Sequence, residues 1–587
     1  MKVQSSKLKV PIHKFLLPIA YCLLPICFLQ AQQKNLPLNR EYDLNTEKSF
    51  AYHDFDNYPS KSKKDSNYYW GPTAFRPCLE GWTLNLKSIR KMNYGFNNLP
   101  YYADSFKDID SIISKKSLLR RKIFLQSLFI INDTADKFYM TIDPLFNFEY
   151  GRDYADSSKS FYKNTRGVLV RGDIGTKFSF ETSFLENQAT FVNYIDDYVK
   201  STNNFFSNPI NYQYNVIPGQ GRAKTFKKTG YDFAMASGYI SYSPNNHFIF
   251  QVGTGKHFVG DGYRSLLLSD NAFNYPFARI TTSFGKFQYT NLYTSFMNLT
   301  DGGVKTPPGT ERLFQKKAGS FQFLSWNIHK RIQLGFFQGL IWMASDSMNR
   351  QHFNINYFSP LIYNAALSEG LAGTNNVLLG WTLKLKISNS ISIYGQYMLD
   401  DFSTIMNSLH DKTGFQVGAK YFDLFGAKNL HFQLEYNHVR PYSYASEKPS
   451  QSYTHYNQPI AHPLGANFKE AIAFLNYRIG DFFTEVKINY AIIGKDSTGR
   501  NYGNNIFSSD ANAFYGINST INQMGQGIKT TLKIFDFHIG YLVNPSTNFN
   551  IVAGISNRSN TSSVENSQTN FVYFGIRTSL NNVYYDF

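Results

Sequence analysis

From residue 137 onward, apolar and polar residues alternate in short runs, the period that sends successive side chains to opposite faces of a strand. In 381–387, Trp381, Leu383, Leu385 and Ile387 share one face while Thr382, Lys384 and Lys386 share the other. Asn389-Ser390 reads as a tight turn, and Ile391, Ile393, Gly395, Tyr397 and Leu399 resume the alternation, so the stretch predicts a hairpin. Phe432/Leu434/Tyr436 alternate with His431/Gln433/Glu435, and Val486/Ile488/Tyr490/Ile492 with Glu485/Lys487/Asn489. Ile528/Thr530/Leu532/Ile534 alternate with Lys529/Thr531/Lys533, and Phe537/Ile539/Tyr541/Val543 with His538/Gly540/Leu542. The charged side of each run is read as the lumen side of a barrel.

Roughly 18–20 such runs follow one another, as in an up-and-down meander. A soluble sandwich also alternates, but the number of consecutive runs and the aromatic-rich apolar faces favour closure around a lumen. The predicted fold is therefore all-β, a large antiparallel transmembrane β-barrel of roughly 18 strands. The last run carries Val583, Tyr585 and Phe587 and predicts a terminal strand ending in an aromatic residue. Asn581-Asn582 disturbs the parity of Val572/Phe574/Ile576 and predicts a bulge. The longer polar connections, 201–228, 300–317, 345–371, 442–467 and 495–523, are predicted outer loops, where a rigid scaffold commonly carries function.

Before residue 137 the rhythm breaks. Lys2, Lys7, Lys9 and Lys14 precede an apolar stretch at 15–29 that is too short to span a bilayer, and Leu29-Gln30-Ala31 offers a cleavage site. Residues 1–31 are thus a predicted signal peptide. A lipoprotein anchor at Cys27 would have Ile26 before it, the wrong kind of residue. Residues 32–136 form an N-terminal irregular and helical region, periplasmic or a plug, and 137–587 the barrel. Within that region 105–113 and 115–131 have helical spacing, with Leu118, Leu119, Ile123, Leu128 and Phe129 gathered on one side and Ser105 and Ser114 as N-caps. Two roles fit this short element: bracing the barrel mouth, or docking a periplasmic partner.

Composition sharpens the picture in three places. The chain holds 53 Phe and 42 Tyr, a surplus that suits lipid-facing surfaces with interfacial aromatic girdles. Its formal charge of +17 is spread through strand-like runs with no dense basic segment, which argues against nucleic acid and for anionic lipid or acidic polysaccharide. Once Cys22 and Cys27 leave with the signal, only Cys78 remains, so neither an intramolecular disulfide nor a cysteine metal site can form.

Candidate chemistry concentrates in 253–279, which gathers Lys256, His257, Asp261, Tyr263, Arg264, Asp270, Asn271 and Arg279 among glycines. Asp, Asn and Arg can reach sugar hydroxyls in pairs while an aromatic ring stacks on C–H faces, so a polysaccharide site fits. An internal ion-pair network closing a wide lumen fits equally, because buried charges need partners. A secondary set comprises Asp400, Asp401, His455, Asn457 and His462. Neighbouring strand carboxylates such as Asp400 and Asp401 point to opposite faces and do not converge as glycoside hydrolysis requires. They suit pairing with lumen cations instead. The spacing of His455 and His462, with His438 nearby, matches no metal motif, and structural loop histidines are the plainer reading. No G-x-S-x-G elbow occurs, and the G-x-G at 253–255 lacks the third glycine of a nucleotide loop. The reading assigns no catalytic residue, no metal and no cofactor.

The segment KHFVGDGYRSLLLSDNA (256–272) resembles the signature of the Wzi-type capsule-assembly outer-membrane proteins. LLRRKIF (118–124), TIDPLFNFEYGRD (141–153), LDDF (399–402), YNHVRPYSY (436–444) and YTHYNQPIAHPLGANF (453–468) match in the same order. The Bacteroidetes branch of that family, which includes the gliding-motility protein RemB, is the most similar. The resemblance implies a lectin-like barrel in the Gram-negative outer membrane that binds or organises surface or capsular polysaccharide. Its partners would be surface polysaccharide, outer-membrane lipid and gliding or export machinery. The rival reading is a passive diffusion porin or transporter, which requires an open, hydrated lumen. A hydrolase would need a nucleophile or a close carboxylate pair at the lumen rim.

Overall fold

The computed structural model describes residues 35, 38–40, 44, 47–48, 73–77 and 117–587, the last apart from 134, 157–159, 202–214, 246, 300–313, 346–354, 370–374, 402–410, 511–521 and 579. The predicted signal segment, the helical spacing at 105–113 and Cys78 lie outside the described residues.

The first half of the barrel runs β1 (Phe138–Asp153), β2 (Ser160–Ile174), β3 (Phe178–Thr190), β4 (Gly230–Tyr242), β5 (Phe248–Gly255), β6 (Tyr275–Phe284), β7 (Phe287–Met297), β8 (Lys316–His329) and β9 (Ile332–Met343). The second half runs β10 (Asn376–Lys386), β11 (Ile391–Asp401), β12 (Lys412–Tyr421), β13 (Leu430–Val439), β14 (Phe468–Ile479), β15 (Phe482–Lys495), β16 (Ile528–Asn544), β17 (Phe549–Thr561) and β18 (Asn566–Arg577). Each pairs antiparallel with its sequence neighbour, and β18 pairs with β1 from Phe571↔Asp153 to Arg577↔Asn147, closing an 18-stranded barrel. Closure removes every sheet edge, so strands can cross a membrane with their backbone groups paired. No helix among the described residues is long and apolar enough to cross one.

The alternation sorts side chains as the sequence pattern requires. Thr382 and Lys384 point inward while Trp381, Leu383 and Leu385 point out, and the 387–390 turn joins β10 to β11. Exposed Phe184, Phe250, Tyr397, Val417, Ile488 and Phe574 belong to an apolar outer surface, the face a barrel presents to lipid. Exposed aromatics flank the tight turns, as with Phe178 at the start of β3, the Phe284/Phe287 pair, and Phe482 beside Tyr541.

Connections divide by end. Tight turns join β2–β3, β6–β7, β8–β9, β14–β15 and β16–β17 at one mouth. The long connections after β3, β5, β7, β9, β13 and β15 all lie at the other, as strict up-and-down winding dictates. Two of them, 256–274 and 440–467, fold back into the lumen instead of standing in solvent. This corrects the outer-loop reading of 442–467, whose Ser443, Tyr444, Tyr453, His455, Ile460 and His462 are buried.

Three further expectations are corrected. Lys529 and Lys533 face outward, not into the lumen, because β16 keeps one parity over its whole length and buries Leu532 and Ile534 in the lumen core. The helix α1 (Leu118–Phe124) is capped by Ser117 and ends before Leu128, and the β-branched stretch Phe129–Asp133 pairs with β1 from Phe129↔Ile142. The last strand ends at Arg577, so the described residues of 578–587 form no strand and Asn581-Asn582 no bulge. That tail enters the lumen, where Arg264 and Asp270 partner its Asp586 and Tyr584.

Candidate functional site

Two inward loops, the tail and N-terminal residues such as Asn35 and Pro77 fill the lumen. From the long-loop end comes 256–274, whose Leu266, Leu267 and Leu268 are wholly buried in an apolar cluster with Phe323, Phe337 and Ile460. Polar strand residues seat its backbone. Gln396 accepts from the Leu266 amide at 2.8 Å and donates to the Val259 carbonyl at 2.7 Å. The hydroxyls of Tyr444 and Tyr453 donate to the carbonyls of Leu266 and Leu267. The lysine Lys317 on β8 is buried and donates to Ser452 O at 2.8 Å and Thr454 Oγ1 at 2.7 Å, pinning the second inward loop.

Arg264 stands at the centre. Its guanidinium lies 3.0 Å from Glu470 on β14 and 3.0 Å from Asp586 of the tail. Glu470 also accepts from Asn489 at 2.8 Å and from His462 Nε2 at 2.7 Å. Glu435 on β13 accepts the Tyr263 and Arg264 amides at 2.7 and 3.1 Å and the Tyr394 hydroxyl at 2.9 Å. The approach is close: a Cβ on Gly262 would lie 2.3 Å from Glu435 Oε2. Asp586 closes the circuit, accepting from the Tyr263 hydroxyl at 2.8 Å and lying 3.1 Å from Lys487 Nζ. Burial alone would raise the Asp586 carboxyl, but Arg264 and Lys487 hold it below the usual carboxylate range.

The remaining residues of the predicted cluster are also engaged. Asp261 pairs with Lys384 of β10 at 2.7 Å. Asp270 accepts from Tyr584 at 2.8 Å and Asn582 at 3.2 Å, so the tail is tied to the loop twice more. Burial raises the Asp270 carboxyl against the opposing pull of Lys256. Burial lowers the Lys256 ammonium to about 8 against the pull of Asp270, and its Nζ donates to Gly219 O at 2.8 Å and Asp270 O at 3.1 Å. Asn271 Nδ2 donates to the Pro459 carbonyl at 3.2 Å. Arg279 on β6 points inward and donates to Pro77 O and Asn35 Oδ1 at 3.1 and 2.8 Å. His257 sits among Phe75, Tyr275 and Phe277, neither ring nitrogen hydrogen-bonded, and burial holds it well below its ordinary pKa.

The secondary set is dispersed. Asp400 accepts the Tyr444 amide at 2.7 Å, and the Asp401 side chain is not among those described. His455 Nδ1 accepts the Met297 amide at 2.9 Å and its Nε2 donates to Asn274 O, so the ring is neutral, and burial lowers its pKa to about 3. His462 Nδ1 accepts the Leu464 amide while Nε2 donates to Glu470, again a neutral ring lowered by burial. Asn457, with Tyr456, takes positive φ in the tight turn that pairs His455 with Gln458. His438 faces outward, stacked on Phe415.

Sequence reasoning missed the partners more than the cluster. Glu435 and Glu470 are lumen-parity acids, a signal that each needs a buried cation or several donors. Glu47, which pairs with Arg76 and Lys420, Lys48, paired with Asp423 at 2.8 Å, and Arg40, paired with Glu485, lie far from the barrel in sequence and carried no such signal.

Beside this dry core lies a cavity of about 400 Å³ between the tail and the walls of β1–β4 and β15–β18. Phe161, Phe571 and Tyr573 line it together with Glu149, Lys163 and Arg577.

No known protein family matches the sequence, and no curated protein does. Among solved structures the chain is similar to Escherichia coli Wzi, described as a carbohydrate-binding β-barrel involved in group 1 capsule assembly. The identity is 12%, over 94% of this chain and 100% of that one, with a TM-score of 0.49. It is also similar to Pseudomonas aeruginosa OprD at 10% identity, over 75% of this chain and 96% of that one, with a TM-score of 0.38. A BenF-like porin from Pseudomonas fluorescens matches at 10% identity, over 78% and 100%, with a TM-score of 0.39. At this level of likeness none of them decides between binding and conduction, which rests on this chain's own lumen.

Proposed function

We propose that this protein is an outer-membrane β-barrel that captures surface polysaccharide and does not serve as an open pore. One observation carries the reading. The lumen is crossed by a buried network that ties the 256–274 loop to the wall at Glu435 and Glu470 and to the tail at Asp586. Leu266, Leu267 and Leu268 pack dry beside it. A diffusion pore needs a continuous hydrated path, and an apolar core with paired charges opposes one.

The resemblance of 256–272 to the Wzi-type signature supports polysaccharide as the ligand, and the RemB-like branch adds a role at the gliding surface with gliding or export machinery as partners. The protein acts here by binding, without a catalytic step. One observation favours the porin reading: the cavity beside the tail, which Glu149, Lys163 and Arg577 border. The test is direct capture. Purified protein in detergent micelles, immobilised on a sensor, is exposed to the producing cell's own purified surface polysaccharide. Saturable binding is expected, and the absence of binding by correctly folded protein overturns the proposal.

A further inference from the structure

The ion-pair network leaves no room for a ligand at the predicted 256–279 cluster, since Arg264, Asp270 and Arg279 are all buried and engaged. The space lies beside the tail, where Lys256 and Tyr263 of that cluster also border it. Its volume of about 400 Å³ falls within the range of ligand pockets, roughly 300–1,000 Å³.

Three aromatic rings line its wall in a row. Phe161 meets Phe571 edge-on at 5.9 Å, and Phe571 stacks on Tyr573 at 5.7 Å with an interplanar angle of 18°. Both β18 rings lie flat across glycines of the neighbouring strands. A Cβ on Gly151 of β1 would lie 2.4 Å from the Phe571 ring, and one on Gly554 of β17 would lie 2.6 Å from Tyr573. With the ring backs against bare backbone, the opposite faces are left to the cavity. Paired and single polar groups flank this platform. Lys163 lies 3.2 Å from Glu149, and Arg577 Nε donates to Asn550 at 3.2 Å. Tyr585 of the tail also borders the cavity, its ring 4.9 Å from Lys163 Nζ and its hydroxyl accepting from Gln220 at 2.7 Å.

We infer that this cavity is a saccharide subsite that takes one or two pyranose rings, an inference that rests on the polysaccharide-capture reading above. A pyranose has apolar C–H faces and a rim of hydroxyls. The Phe571–Tyr573 pair, with Phe161 edge-on behind it, offers the faces to stack on, and Glu149, Lys163 and Arg577 offer planar or multivalent groups for the rim. A wholly apolar ligand would strand those charges, and a polyanion would meet Glu149.

The experiment uses the full-length barrel in micelles. The probes are the mono- and disaccharide fragments released by mild acid hydrolysis of the producing cell's surface polysaccharide, followed by saturation-transfer NMR and calorimetric titration. Wild type is expected to bind the disaccharide. Tyr573→Ala and Phe571→Ala are expected to weaken it about tenfold, the loss of one aromatic stacking contact, while Tyr573→Phe retains it. Should Tyr573→Ala fail to migrate as a folded barrel, Tyr573→Leu fills the space over Gly554 and removes only the aromatic face. Undiminished fragment binding by folded variants at both positions overturns the subsite, as does capture of intact polymer by a wild type that ignores the fragments. Failure of wild type to capture even intact polymer overturns the underlying function instead.

Discussion

The carboxylate of Asp586 lies 3.0 Å from the guanidinium of Arg264, although 322 residues separate them along the chain. The pair joins the tail to the central loop inside the closed barrel. Glu470 holds the other side of the same guanidinium. Arg264→Leu leaves the buried Glu470 carboxylate without its arginine and Asp586 with Lys487 alone, a defect worth about 3–5 kcal/mol. The expected result is a lowered urea midpoint for the barrel refolded in lipid vesicles, partly restored in Arg264→Lys. A midpoint equal to wild type would show that the network adds nothing to stability.

Gly262 touches the network without a side chain of its own. Alanine there would place a Cβ 2.3 Å from Glu435 Oε2 and 3.0 Å from Gln416 Oε1. Either the Glu435 carboxylate gives up its bonds to the Tyr263 and Arg264 amides or the loop lifts, and both loosen the seat. Limited proteolysis is expected to cut Gly262→Ala within 256–274 while sparing wild type.

Acid should loosen the plug. His257, His455 and His462 are neutral and buried, with pKa values below the ordinary 6.5 because burial disfavours the charged ring. The unfolded chain therefore binds protons below pH 6.5 that the folded chain refuses, and stability falls as pH falls through that value. For His455, lowered to about 3, the loss by pH 4 is at most about 3 kcal/mol. His455→Gln is expected to give a shallower decline in unfolding midpoint between pH 6.5 and 4.

The tail is the removable part of the closure. A chain ending at Arg577 leaves Arg264 with Glu470 and Lys487 with Asp536 at 2.6 Å, so both cations keep a partner. The barrel should still assemble. With Tyr584, Tyr585 and Asp586 gone, the cavity they border should widen into a water-filled path. Single-channel recording is expected to show conductance in the truncated barrel only.

The barrel was legible because period-2 alternation is written residue by residue, and each strand carries its own inside and outside. Lys384 and Glu435 fell on the lumen face as parity required. The central segment was legible from its density of charge, though not which of its two readings applied, because a polar cluster looks the same whether its partners are sugar hydroxyls or Glu435 and Glu470. The fate of 578–587 was hidden for a physical reason. Val583, Tyr585 and Phe587 alternate as a strand would, and only the three-dimensional positions of Arg264, Lys487 and Asp270 draw Asp586, Tyr584 and Asn582 inward. Likewise Leu128 and Phe129 fit a helical stripe, but pairing with β1 offered the backbone at Phe129–Asp133 a ladder of its own.

The most direct test of the closed lumen is electrical. Purified full-length protein is inserted into a planar bilayer and its conductance recorded before and after the producing cell's surface polysaccharide is added, with binding of that polysaccharide followed in parallel. A silent barrel that captures the glycan is the predicted result. A steady open conductance indifferent to glycan would contradict it and return the Arg264 network to the role of a constriction in a pore.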